Sequence, residues 1–156
     1  MKKKILIISY YWPPAGGPGV QRWLKFAKYL PEFNMSPVLF VPENANYPIK
    51  DNSLKSEISK DLEIIKLPIF ELSSFLPRLR SLNSIRSGNI SKNKNQSILK
   101  KVFFFIRGNF FIPDMKIFWK RSSVNFLENY ISENNIETIV TTGPPHSLHL
   151  IGLELK

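Results

Sequence analysis

At 156 residues and 43% hydrophobic content the chain can bury one core as a single domain, and having no cysteine it can hold neither a disulfide framework nor a thiolate metal site. The net charge of +10 is placed unevenly: residues 72–125 carry 11 of the 22 Lys and Arg but one of the 12 Asp and Glu, so the rest of the chain is balanced. Such a field suits an anionic partner, whether lipid headgroups, a phosphorylated ligand or nucleic acid, and its plainer reading is a solvated lysine-rich surface.

Lys2, Lys3 and Lys4 ahead of an apolar run imitate the start of a signal peptide. The run breaks at Ser9 and Pro13, short of the roughly 7–15 residues of a cleavable signal and the roughly 20 of a membrane span. The expected location is therefore the cytoplasm, with peripheral contact to the inner face of the membrane. Residues 5–9 read as a strand buried on both faces, hence a central parallel strand. A glycine-rich turn follows. Val20, Trp23, Leu24, Ala27 and Leu30 then mark an amphipathic helix ending near Pro31. Residues 38–41 predict a second strand, 43–51 a loop, 52–59 a short helix and 62–67 a third strand stopped by Pro68.

Residues 81–97, rich in Asn, Ser and Lys, read as a mobile surface loop. A phenylalanine-rich helix is expected over 98–111, broken by Pro113, and a longer one over 116–134. A fourth strand begins near Ile136 and covers 138–142. Gly143, Pro144 and Pro145 turn the chain into a last helix from His146. This order predicts an α/β fold: one Rossmann-like domain over residues 1–156, three-layered, with a parallel sheet in the order 3-2-1-4. The last helix is apolar on more than one face and a βα unit of this kind feeds another strand, so the fold is expected to continue past Lys156, and the exposed sheet edge to favour homo-oligomers.

The turn from Pro13 to Gly19 carries the clearest chemistry. Gly16, Gly17 and Gly19 let the backbone approach a ligand, and the helix that follows offers free amides to a phosphate. Gly17-Pro18-Gly19-Val20-Gln21-Arg22 begins like the dinucleotide fingerprint but has arginine at the third glycine, with Glu43 as a candidate ribose-binding acid, so an NAD-type domain is one alternative. His146 and His149 are three apart, yet no Asp or Cys nearby completes a metal site, and capping or burial explains them as well. Neither a metal nor a cofactor is expected.

Lys4 to Pro14, with Gly16-Gly17, Arg22-Trp23 and Ala27-Lys28-Tyr29-Leu30, resembles the N-terminus of GT-B glycosyltransferases of the large retaining family that includes bacterial cell-surface polysaccharide enzymes. Thr141-Thr142-Gly143-Pro144-Pro145-His146-Ser147, followed by Leu150-Ile151-Gly152, is similar to a second stretch of that family. The likeness lies at the two ends of the chain. It implies the acceptor-side domain of a two-domain enzyme that moves a sugar from a nucleotide-sugar donor to a glycan or lipid-linked acceptor, inactive without the donor-binding domain, which lies in a C-terminal extension or a partner chain. It further implies that Gly16, Gly17 and Gly19 face the donor diphosphate, that Thr142, Gly143 and His146 border the acceptor crevice, and that His146 stands beside the reacting sugar. The family's paired glutamates have the spacing of Glu63 and Glu71, but these flank a strand without the glycine loop that the motif needs, and they are set aside.

A non-enzymatic membrane- or anion-binding module is the alternative from another class; nucleic acid fits less well, for want of a recognised module. In the expected helix, Leu99, Val102, Phe103, Ile106 and Phe110 form one core-facing stripe and leave Phe104, Phe105 and Phe111 outside it. With Lys100, Lys101 and Arg107 beside them, these rings form a candidate surface for an anionic membrane. The rival reading packs them under the loop or against another domain.

Overall fold

Positions 5–8 offer no polar side chain to water, and they form the inner part of strand β1 (Lys3–Ile8), which has parallel neighbours on both sides. The computed structural model describes residues 2–70, 105, 108, 109 and 111–156. Among these, β1, β2 (Met35–Pro42), β3 (Glu63–Leu67) and β4 (Thr138–Thr141) make one parallel sheet in the order β3-β2-β1-β4, as the sequence predicts. Burial follows position in the sheet. Residues 5–8 and 37–42 of the two inner strands are buried, whereas edge strand β3 turns Glu63 and Lys66 to solvent.

Among the described residues, helices α1 (Pro18–Tyr29), α2 (Ile117–Asn134) and α3 (Ser147–Glu154) cover the sheet. The crossover through α1 runs from β1 toward β2, and the crossover through α2 runs back past β1 to β4. Right-handed connections therefore put α1 on one face and α2 on the other, and α3, which packs against α2, shares its face. α1 buries Val20, Leu24 and Ala27, one stripe at helical spacing. α2 buries Trp119, Val124 and Leu127, with the Trp119 ring stacked on Phe40 of β2 at 5.0 Å between centroids. α3 lies close on β4 because Gly152 has no side chain: a Cβ there would stand 2.5 Å from Thr141 Cγ2.

Several boundaries differ from the pattern reading. β1 begins at Lys3 and ends at Ile8, β4 stops at Thr141, and the helical stretch expected over 52–59 is a 3-10 turn at Ser53–Glu57. Pro31 does not end the helical path, since Leu30–Phe33 continues it as a 3-10 turn with the proline in its first turn, where an amide hydrogen is not needed. Asn34, at φ 60°, then reverses the chain into β2. Asn135, at φ 51°, does the same after α2, and the Ile136 amide closes on the Ile131 carbonyl at 3.1 Å. Phe105, Gly108 and Asn109 have helical backbone, while the loop expected over 81–97 lies outside the described residues.

Candidate functional site

Because β2 and β4 lie on opposite sides of β1, the connections leaving the carboxyl ends of β1 and β4 diverge and open a crevice between them, the place where doubly wound sheets bind ligands. A cavity of about 340 Å³ occupies that point. Gly16, Gly17 and Gly19 form one wall, and Thr142 and Gly143 form the other. Five of the residues expected to bind ligand thus meet in one place although more than a hundred positions separate the two groups.

The floor is stitched by hydrogen bonds. Thr142 N–H donates to the Ile8 carbonyl at 3.1 Å, and the buried Thr142 hydroxyl donates to Ser9 Oγ at 3.2 Å. Ser9 Oγ in turn donates to the Tyr11 carbonyl at 3.0 Å. The Thr142 side chain is therefore engaged in the floor, and its contribution to the crevice is its position. The glycine wall is held by the loop after β2: Gly16 N–H donates to the Ile49 carbonyl at 3.0 Å, Asp51 N–H to the Pro14 carbonyl at 2.8 Å, and Tyr47 Oη to the Tyr10 carbonyl at 3.0 Å. Gly17, at φ 115° and ψ 165°, occupies backbone space essentially reserved for glycine. Its carbonyl accepts from the Val20 and Gln21 amides, while Pro18 has no amide hydrogen and the Gly19 amide belongs to the first turn that no helical carbonyl can reach. That end of α1 has no acidic residue in its first turn and no side-chain cap.

The other helix at this edge is closed. Asp114 Oδ2 accepts the Ser147 amide at 2.8 Å, and Asp114 Oδ1 accepts both the Ser147 hydroxyl and the Lys116 amide at 2.8 Å. A carboxylate thus already satisfies the positive end of α3. Of the two helix starts, α1 is the one that no carboxylate among the described residues caps. Asp114 was legible in the sequence only as the single acid of the basic segment; its partner 33 residues away was not.

His146 stands at the N-cap of α3, exposed and outside the crevice walls. Its ring centroid is 5.8 Å from that of His149, whose Nδ1 is 2.8 Å from Thr141 Oγ1. Gly143 separates the two imidazoles from the crevice, and a Cβ at that glycine would meet His149 Nε2 at 2.6 Å and His146 Nδ1 at 3.3 Å. The structure therefore puts His146 behind the crevice rim and not in its wall. No group of three His, Cys, Asp or Glu side chains gathers among the described residues in a way that could hold a metal ion.

Arg22 and Trp23 also line the crevice, as do Pro48 and Ile49 from the loop after β2. The sequence flagged Arg22 as the residue that spoils the dinucleotide fingerprint and as part of the resemblance at Arg22-Trp23, but not as a residue of the site. Glu43, the candidate ribose acid, is exposed at the end of β2 and is absent from the walls. Glu63 opens β3 at the opposite, amino edge of the sheet, where it accepts a hydrogen bond from Tyr130. Of the expected membrane surface, Lys100, Lys101, Phe104 and Arg107 lie outside the described residues; Phe105 is exposed, and half-buried Phe111 packs edge-on against Phe118 at 5.6 Å. No helix among the described residues is long and apolar enough to cross a membrane. Comparison with protein-family models, curated proteins and solved structures finds no match for this chain.

Proposed function

We propose that this domain forms the acceptor side of a glycosyltransferase cleft, in which a sugar passes from a nucleotide-sugar donor to a glycan or lipid-linked acceptor. The observation that carries this reading is the meeting of the Gly16–Gly19 turn with Thr142 and Gly143 at the sheet's switch point. There a diphosphate can approach bare backbone and the uncapped start of α1, which stabilises negative charge. Arg22, one turn into the same helix, adds a guanidinium to that wall, a group whose fork of donors matches phosphate oxygens.

The donor's nucleotide and sugar are held by a second Rossmann-like unit, as the resemblance implies. The chain alone therefore binds donor weakly and does not turn over. In the retaining reaction implied by the same resemblance, the donor phosphate leaves as its bond to the sugar breaks and receives the proton of the attacking acceptor hydroxyl. The part assigned to this domain is to orient: the glycine wall steadies the diphosphate, and the rim at Gly143 guides the acceptor. The resemblance would place His146 beside the reacting sugar, but in this structure it stands behind the rim, so no role in the crevice is assigned to it.

Titration of the isotope-labelled chain with UDP-glucose, UDP-N-acetylglucosamine, GDP-mannose and NAD, followed by amide NMR, tests this reading. At least one nucleotide sugar should shift Gly17, Gly19 and Gly143 at millimolar concentration, with NAD weaker. Tighter binding of NAD at the same amides would favour the dinucleotide-binding alternative, and shifts confined to other surfaces would remove the crevice from consideration.

A further inference from the structure

We propose that the outer face of α1, together with the 3-10 turn that follows it, is a docking surface for an anionic lipid bilayer. α1 commits Val20, Leu24 and Ala27 to the core, so a helix of ordinary surface composition would be charged or polar on the opposite side. Here Phe26, Tyr29 and Phe33 are 50%, 46% and 68% exposed, and with Leu30 they line a groove of about 470 Å³. Three adjacent rings around one groove form a continuous apolar patch, unlike the isolated apolar residues of a normal surface.

The charge around the patch selects the partner. Arg22 and Lys25 border the groove, and Lys28 Nζ stands 5.7 Å from the centre of the Tyr29 ring. Lys25 is hydrogen-bonded to Glu57, whose carboxylate raises its pKa, keeps it protonated and offsets its charge. Neither Arg22 nor Lys28 is paired with a carboxylate among the described residues. Two unpaired cations beside three rings, against one exposed carboxylate, Glu32, in the same 3-10 turn, leave a positive rim that matches an interface of acyl chains under negative headgroups. The patch also adjoins the crevice. Arg22 borders both cavities, and Trp23 of the crevice wall packs its ring 5.4 Å from that of Phe26. A bilayer seated on the groove would therefore hold the crevice at headgroup level. Lipid binding requires no sugar donor, so this proposal and the glycosyl-transfer reading can fail separately.

Co-sedimentation of the full chain with phosphatidylglycerol-containing and with pure phosphatidylcholine vesicles decides it. Binding is expected only to the anionic vesicles and should weaken as salt is raised. Phe26→Ser with Phe33→Ser should lower partitioning more than about tenfold while the thermal melt keeps its midpoint, because both rings are already exposed. Arg22→Gln and Lys28→Gln should each lower it about fivefold, and this pair decides the matter if the phenylalanine variant fails to fold. The proposal is overturned if anionic vesicles do not pellet the chain, or if binding survives both pairs of substitutions. It is equally overturned if the phenylalanine pair abolishes self-association in lipid-free sedimentation without changing vesicle binding, since the patch would then join two copies of the chain.

Discussion

Asp114 shows how one side chain decides which helix end is open. It satisfies the Ser147 amide, the Ser147 hydroxyl and the Lys116 amide together, so Asp114→Ala should destabilise the domain by about 1–3 kcal/mol, with Asp114→Asn costing less because it retains an acceptor. Urea denaturation measures this, and unchanged midpoints for both variants would contradict the assigned cap. Gly143 makes a second point. Gly143→Ala inserts a methyl where His149 Nε2 lies 2.6 Å away, so the imidazole should leave Thr141 Oγ1, and the NMR signals of the His149 ring should report the change. An unmoved His149 ring would show that the rim accommodates a side chain. The glycine turn was readable from sequence because glycines, prolines and a following amphipathic helix are local signals. Asp114 with Ser147, and His149 with Thr141 across the Gly143 turn, were not readable, because a capping partner is fixed by where the sheet brings distant segments together.

The strands were legible where burial leaves no choice: residues 5–8 and 38–41 are unbroken apolar runs, and both are inner strands. The short helical pieces were less legible, because Leu30–Phe33 and Ser53–Glu57 are 3-10 turns whose hydrogen bonds close over three residues and leave no amphipathic period to read. The contact between α2 and β3 makes a pH-dependent prediction. Tyr130 is half-buried and donates to Glu63; burial first, and the hydrogen bond to that carboxylate second, raise its phenol pKa above the ordinary 10.0. The folded chain then holds this proton more tightly than the unfolded chain does. The associated stability is complete below pH 10.0 and is lost as the pH rises above it. Thermal melts between pH 8 and about 11 should show a steeper decline for the unmodified chain than for Tyr130→Phe. Parallel declines would mean that the contact does not perturb the phenol.

For the molecule as a whole, the proposed function rests on topology more than on any single residue. The order β3-β2-β1-β4 creates the switch point, the glycine turn and the β4 turn supply its two walls, and Asp114 leaves α1 as the uncapped helix start facing the cavity. β4 has no strand on its outer side among the described residues, so the chain should self-associate as its concentration rises in sedimentation, and a constant monomer mass would count against pairing at that edge. That an anion enters at the start of α1 is the step on which the functional reading depends. Titrating the labelled chain and its Gly17→Val variant with inorganic pyrophosphate examines that step. The variant forces a branched side chain onto a backbone at φ 115°, at a cost of about 1–3 kcal/mol, and should displace the turn while the domain stays folded. The expected result is that pyrophosphate shifts the Gly17, Gly19 and Val20 amides of the unmodified chain and leaves the matching amides of the variant unmoved. Equal shifts in both proteins, or shifts in neither, would contradict the assignment of this crevice as the anion site.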